Sequence, residues 1–202
     1  EFHVVREMER AGIRVPQMLW CDKTGEWMDR PFIISRREPG ITSDRELRAG
    51  DPTALAAVYD DFVTSIAGIH DLDPFAYDLG ILGPVSRETV AAQQLATWER
   101  SFRMHALEPH PGIEYLLRWL KANAPVASEL RVIHGDYRRG NFLIDGDRVS
   151  AYIDWEQVHI GDPIEEIAFI YWAHWSLEPI MTLDDFLERY ERARGITVDR
   201  DI

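Results

Sequence analysis

The stretch that decides the fold runs from His134 to Ile144 and reads HGDYRRGNFLI. Asp154 follows ten residues later, inside the segment YIDWE. Apolar runs flank both segments and are typical of short strands, and the Asp-Gly-Asp sequence at 145–147 is typical of a turn. The pattern therefore predicts an amide and two aspartates on loops held by a small sheet, namely Asp136, Asn141 and Asp154.

These three residue types suit phosphoryl transfer. That reaction depends on aligning a hydroxyl and on neutralising phosphate charge with a divalent cation. Asp136 would accept the proton of the hydroxyl or orient it, while Asn141 and Asp154 would bind Mg2+, which takes oxygen ligands and keeps several waters. The alternative is a pair of ordinary hairpin loops, where Asp, Asn and Gly are common anyway.

Two further residues are expected to support the loops. His134 precedes Asp136 closely, but a ring hydrogen-bonded to backbone is a better expectation for it than a base or a metal ligand. Asp162 lies in Gly-Asp-Pro and would cap a helix that opens at Pro163. A role as a helix cap is sufficient to explain Asp162 without a catalytic function.

The motifs resemble those of the aminoglycoside phosphotransferase and choline kinase type of protein-kinase-like enzymes. The match covers H-G-D-x-x-x-x-N at 134–141, D-W-E at 154–156 and G-D-P at 161–163, in that order. Protein kinases have D-F-G in place of D-W-E, which favours the small-molecule branch. The resemblance extends over nearly the whole chain. It implies an α+β, protein-kinase-like fold, the cofactors ATP and Mg2+, and a small-molecule hydroxyl as acceptor.

One departure from the family pattern follows Gly-Asp-Pro. The family usually has an aspartate before a Leu-Ala pair, whereas this chain has Glu165-Glu166 nearby. We expect this change to alter helix packing little.

The resemblance divides the chain into a remnant of the N-terminal ATP-binding lobe with its hinge, residues 1–39, and a C-terminal catalytic and substrate lobe, residues 40–202. It aligns Glu1 with a glutamate that pairs with a strand lysine in relatives. It also places the adenine-facing backbone near the end of the second strand, at Arg36, Arg37 and Glu38.

The phosphate-binding parts of that lobe have no counterpart in this sequence. The two lysines, Lys23 and Lys121, do not precede the first helix in a strand, and no G-x-G-x-x-G pattern occurs. We therefore expect a fragment of a longer kinase-like protein, itself weakly active or inactive. The alternatives are a catalytically dead binding or scaffold protein, and nucleotidyl transfer on the same scaffold.

The acceptor pocket has weaker sequence signals. In relatives, the helix after Gly-Asp-Pro and an insertion around Trp98 line this pocket, so Trp98, His174 and Trp175 are candidates for substrate contacts. The run 164–175 carries apolar residues on nearly every face, which predicts a buried helix. The sequence leaves open whether the acceptor is an aminoglycoside, a choline-like alcohol, a sugar or a hydroxyacyl compound.

Composition limits the partners. The net charge is -13, which disfavours nucleic-acid phosphates and anionic membranes and accommodates a cationic or neutral small molecule more easily. No apolar run approaches the roughly 20 residues of a membrane span. Cys21 is the single cysteine, which excludes an internal disulfide and fits a reducing compartment. We expect a cytoplasmic location, apart from any targeting segment upstream of Glu1.

Periodicity predicts the remaining elements. The expected elements are helices over 1–11, 52–70, 86–107, 112–123 and 183–194, and strands over 15–21 and 31–36. Asp51 should cap the second of these helices, with Pro52 in its first turn, and the last helix should close at Gly195. The cluster His70-Asp71-Leu72-Asp73 sits at a helix end before a proline, so we expect a cap and turn there rather than a metal site.

Overall fold

The computed structural model describes residues 1–42, 51–172 and 181–200. Within these ranges the chain forms six α-helices and six strands. The helices are α1 (Phe2–Arg10), α2 (Pro52–Asp71), α3 (Val90–His105), α4 (Pro111–Ala122), α5 (Pro163–Trp172) and α6 (Leu183–Arg194). The strands are β1 (Met18–Asp22), β2 (Phe32–Ser35), β3 (Arg131–Ile133), β4 (Phe142–Asp145), β5 (Arg148–Tyr152) and β6 (His159–Gly161).

The N-terminal part consists of α1 and an antiparallel β1–β2 hairpin. Val4, Val5 and Met8 lie on one face of α1 and are buried in the core. The hairpin turn is organised by Asp22, whose carboxylate accepts backbone hydrogen bonds from Thr24, Gly25 and Trp27. These bonds lower the pKa of Asp22 against the opposing effect of its partial desolvation.

Helix α2 is the central element of the larger part. The side chain of Asp51 accepts a hydrogen bond from the Thr53 N–H, and proline occupies the first turn, as predicted. Its apolar face contributes Phe62, Val63 and Ile66 to the core. Burying one such side chain contributes about 1.5–3 kcal/mol, so this helix fixes the position of the strands that pack on it.

The loop-bearing strands do not form one sheet. β3 pairs with β6, and β4 pairs with β5, as two separate antiparallel ladders. The expectation of a single small sheet is therefore wrong. The reason is that the segment 134–141 leaves the β3–β6 ladder and anchors itself on α2, where the Tyr137 hydroxyl donates to the Phe62 carbonyl at 2.8 Å.

The segment after β2 lies against the β4–β5 hairpin. Ile41 and Ile144 exchange backbone hydrogen bonds of 3.0 and 2.9 Å, and the Ser150 hydroxyl donates to the Pro39 carbonyl. Gly40 has φ +111°, and a side chain there would overlap the Ile144 carbonyl, so glycine is required. The division of the chain into an N-terminal remnant, residues 1–39, and a C-terminal lobe, residues 40–202, remains a prediction.

Two helices near the C-terminus differ in how well periodicity predicted them. α6 ends at Arg194 with Gly195 in the left-handed conformation, as expected. α5 is described to Trp172, and its expected burial on nearly every face is wrong for Tyr171, which is 66% exposed. His174 and Trp175 lie outside the described residues.

Candidate active site

The side chains of Asp136 and Asn141 are in direct contact. The Asn141 amide nitrogen donates to the Asp136 carboxylate at 2.6 Å and to the Asp136 carbonyl at 3.0 Å. Both amide hydrogens are thus committed to Asp136. The amide oxygen, which is the atom a cation needs, is left facing away from that carboxylate.

Asp136 also accepts from Arg138. The Arg138 Nε atom lies 2.9 Å from each carboxylate oxygen. A carboxylate held in this way has a fixed orientation. A fixed carboxylate suits phosphoryl transfer, where orienting the hydroxyl matters more than removing its proton early.

Asp154 follows β5 in a left-handed conformation with φ +67°. Aspartate is among the few non-glycine residues that adopt this conformation readily. The preceding residue, Ile153, donates its N–H to the Asn141 carbonyl at 2.9 Å. This bond ties the exposed carboxylate of Asp154 to the loop that carries Asn141.

His134 supports the loop from beneath. Its side chain is buried, its Nδ1 atom lies 3.3 Å from the Asp136 N–H, and its Nε2 atom lies 3.1 Å from the Ile153 carbonyl. The first contact makes Nδ1 the acceptor, so Nε2 carries the proton. Burial lowers the pKa of this imidazole against the opposing charge of Glu166. The neutral ring has no nitrogen left for base catalysis.

Glu166 is the site residue that sequence reasoning missed. Its carboxylate is buried on α5 and accepts hydrogen bonds from the His134 N–H at 3.1 Å and the Gly135 N–H at 2.7 Å. Glu166 thus supports the loop, whereas the expectation that Glu165-Glu166 alters helix packing little remains a prediction. A signal was present, because Glu166 shares a helix face with the buried residue Ile170, and a carboxylate on an apolar face indicates a buried partner.

That partner is His70, whose Nε2 atom lies 3.0 Å from the Glu166 carboxylate. Burial alone would raise the pKa of Glu166, but the hydrogen bond and charge of His70, with the Gly135 N–H, lower it overall. After the end of α2, Asp73 caps the short 3-10 helix at Pro74–Ala76, where its carboxylate accepts from the Phe75 N–H. His70 itself is not part of a turn but of the network beneath the loop.

The network continues into α6. The His70 Nδ1 atom lies 2.8 Å from the Tyr190 hydroxyl, which also accepts from Arg194 at 2.9 Å. Arg194 in turn pairs with Asp71 and Glu129. A continuous set of polar contacts therefore joins the C-terminal helix to the backbone of the loop.

Asp162 caps α5, in agreement with its expected geometry. Its carboxylate accepts from the Ile164 N–H at 3.1 Å and from the Ser128 N–H at 2.5 Å. The second bond connects the start of α5 to the segment before β3.

The residues assigned to nucleotide binding lie in the N-terminal part. Glu1 is exposed at the start of α1, and its carbonyl accepts from the Val5 N–H. Arg36, Arg37 and Glu38 directly follow β2. The Arg36 N–H already donates to the Gln17 carbonyl at 2.8 Å, so this amide is committed to the hairpin.

A cleft of about 540 Å³ opens beside the loop. Trp98 and Gln94 of α3 form one wall, and Gln157 and Val158 form the other. Gly135 has φ +86°, and a side chain there would overlap the Gln157 carbonyl. The inner end of the cleft is therefore in contact with the residue that precedes Asp136.

In the part of the chain that the structure describes, no three His, Cys, Asp or Glu side chains gather as a metal site. Asn141 and Asp154 instead offer one neutral and one charged oxygen ligand. So small a set fits a cation that completes its shell with water and phosphate oxygens, as Mg2+ does. No helix in the described ranges is long and apolar enough to cross a membrane.

Solved structures share this architecture. The crystal structure of a protein from Ralstonia eutropha JMP134 superimposes on this chain with a TM-score of 0.79 and 22% sequence identity. The match covers 98% of this chain and 65% of that one. A ternary complex of the aminoglycoside phosphotransferase APH(4)-Ia with AMP-PNP and hygromycin B has a TM-score of 0.61 and 20% identity, with coverage of 96% and 67%. The fold is thus the aminoglycoside phosphotransferase type of the protein-kinase-like fold.

The chain belongs to the Phosphotransferase enzyme family, whose model matches residues 1–201. Acyl-CoA dehydrogenase family member 10 of Mus musculus is 27% identical over 199 residues, which cover 97% of this chain and 18% of the relative. Hygromycin-B 4-O-kinase of Escherichia coli is 26% identical over 191 residues, covering 86% and 52%. The chain thus spans about a fifth of the first relative and about half of the second.

Proposed function

We propose that this chain carries the catalytic lobe of an ATP-dependent kinase that phosphorylates a hydroxyl group of a small molecule. The observation that carries the proposal is the contact between Asn141 and Asp136, because it commits the amide nitrogen to the carboxylate and leaves the amide oxygen as a ligand for a cation. Family membership and the AMP-PNP complex of a structural neighbour support the choice of nucleotide.

In this proposal each residue has one role. Asp136, oriented by Arg138, accepts the hydrogen bond of the acceptor hydroxyl and aligns its oxygen for in-line attack on the terminal phosphate. Asn141 and Asp154 hold Mg2+, which supplies charge neutralisation on the phosphates. His134 and Glu166 fix the loop, and the Arg37 and Glu38 backbone faces the adenine.

We further propose that these 202 residues alone catalyse phosphoryl transfer from ATP slowly. Relatives supply a strand lysine to the phosphates, and neither lysine of this chain is placed for that role. Lys121 pairs with Glu99 at 2.5 Å on the outside of α3 and α4, and Lys23 lies in the β1–β2 turn.

The test is ATP turnover with a panel of hydroxyl compounds, measured on the longest natural form of the protein and on this chain. The Asp136→Asn variant should keep its unfolding midpoint and lose most of the turnover of the parent. Unchanged turnover in that variant would refute the role of Asp136. AMP on the product would indicate nucleotidyl transfer instead, and ATP binding without any turnover in the parent would favour the scaffold alternative.

A further inference from the structure

The cleft beside the loop is part of a longer groove along α3. A second cavity, of about 370 Å³, shares Trp98 and Ser101 with the first and continues past His105 and His110. The lining residues of α3 form one broad helical face, at positions 90, 93, 94, 97, 98, 101, 102 and 105. From 94 to 105 this face is roughly 16 Å long at the rise of an α-helix.

The inner end of this groove meets the site described above. Gln157 and Val158 line it and directly follow the Asp154 turn. The Gln157 carbonyl packs on Gly135, next to Asp136. A molecule lying in the groove would thus present its inner end to the loop that aligns the attacking hydroxyl.

The groove carries little charge. Among the described residues that line the two cavities, Glu156 is the one carboxylate, and lysine and arginine are absent. His159 Nε2 lies 3.3 Å from the Glu165 carboxylate, whose negative charge raises the pKa of this imidazole against the effect of burial. The positive charge gained there is compensated locally by Glu165.

This lining disfavours an acceptor with several ammonium groups. An ammonium that leaves water needs a carboxylate or several oxygen acceptors in compensation, and one carboxylate compensates one such group. The net charge of -13 attracts cations from a distance, but salt screens that attraction beyond about 10 Å. The local lining therefore decides which molecule is bound.

The lining favours a molecule with one polar and one apolar side. Gln93, Gln94 and Gln157 line the groove with amide groups. The Gln93 amide nitrogen donates to the Pro84 carbonyl at 3.3 Å and that of Gln94 lies 3.5 Å from His159 Nδ1, which leaves the amide oxygens and one N–H of each for a ligand. Trp98 is 52% exposed and presents its ring between the two cavities. An indole ring packs well on an aliphatic surface while the amides bind hydroxyl groups.

We propose that the acceptor is an elongated, amphipathic hydroxyl compound with at most one positive charge, bound along α3 with its hydroxyl at Gln157 and its apolar part on Trp98. This proposal rests on the kinase function proposed above. It sets this chain apart from kinases whose acceptors are polycationic.

The test is calorimetric binding without nucleotide, using hexyl β-D-glucopyranoside as the neutral amphipathic probe and hygromycin B as the polycationic probe. The neutral glycoside should bind saturably and more tightly than hygromycin B. Trp98→Ala should weaken its binding roughly threefold to tenfold, the range expected for one aromatic contact. Trp119→Ala is the matched control, because Trp119 is also 52% exposed but lies on α4 outside both cavities.

Three results would overturn the proposal. They are tighter binding of hygromycin B that is lost in Glu156→Gln, absence of saturable glycoside binding, and equal losses in the Trp98 and Trp119 variants. These results are distinguishable from a failure of the proposed kinase function, because glycoside binding needs neither ATP nor Asp136. Intact glycoside binding with no turnover of any acceptor by the parent protein would refute the reaction and leave the binding class standing.

Discussion

The backbone N–H of Gly135 donates a 2.7 Å hydrogen bond to the buried carboxylate of Glu166. The two residues are 31 positions apart in the chain, and this bond joins the loop before Asp136 to helix α5. The neighbouring N–H of His134 donates to the same carboxylate. One side chain therefore fixes the backbone direction from which Asp136 projects.

Removing the charge of Glu166 should destabilise the protein. Glu166→Gln keeps the shape but replaces one oxygen with an NH2 group that faces backbone donors, so we expect a loss of about 1.5–3 kcal/mol of unfolding free energy. Urea unfolding measures it. Glu166→Asp is the control that keeps the charge, and a Gln variant as stable as the parent would show that the carboxylate is not needed.

Substituting Gly135 should lower the free energy of unfolding more than substituting another glycine that has a positive φ. Gly135→Ala adds an overlap with the Gln157 carbonyl to the strain of a positive φ, which by itself is about 1–3 kcal/mol. Gly195→Ala is the matched control, because Gly195 has φ +66° and open space at its Cβ position. Equal losses of stability for the two variants in urea unfolding would refute the close approach.

The buried imidazole of His134 should make folding less favourable in mild acid. Burial lowers the pKa of this group in the folded state below the ordinary 6.5, so the unfolded chain binds more protons. Stability should therefore fall as pH drops below about 6.5 toward the lowered value. His159 has a raised pKa, so its contribution to the pH dependence of stability has the opposite sign.

The measurement is therefore made in a variant that already carries His159→Gln. In this variant, adding His134→Gln should flatten the pH dependence of the urea midpoint between pH ~5 and ~7. A dependence that is unchanged would exclude His134 as its source.

Asp154 should matter for metal-dependent nucleotide binding and little for folding. Asparagine also tolerates the left-handed conformation, so Asp154→Asn should keep the unfolding midpoint while reducing the effect of Mg2+ on ATP affinity. Calorimetric titration of ATP with and without Mg2+, on the longest natural form of the protein, measures this. An Asp154→Asn variant with full Mg2+ dependence would remove Asp154 from the ligand set.

The hydroxyl of Tyr190 should stabilise the contact between α6 and the loop network. Tyr190→Phe leaves His70 and Arg194 without a shared partner, which should cost about 1–3 kcal/mol in a buried setting. Tyr171→Phe is the comparison, because Tyr171 is largely exposed and should change the urea midpoint little. Two variants with the same stability would indicate that the network is not coupled to α6.

The sequence by itself determined the elements whose signals are local. The Asp51 cap, the Asp-Gly-Asp turn at 145–147 and the glycine after Arg194 depend on neighbouring residues, and the structure has each of them where it was predicted. The order of the three motifs likewise identified the fold type. The positions of Asp136, Asn141 and Asp154 on turns follow from the same local patterns.

Tertiary structure alone decided what lies beneath and beside the loop. Glu166, His70 and Tyr190 are far apart in the chain, and no periodicity indicates that their polar atoms share one buried network. The split into two ladders has the same origin, because long-range packing on α2 determines which strands can pair. The groove along α3 also exists only after folding, since Trp98 and Gln157 form its walls from separate elements. Local energies fix turns and caps, whereas the burial of distant side chains against each other fixes the site.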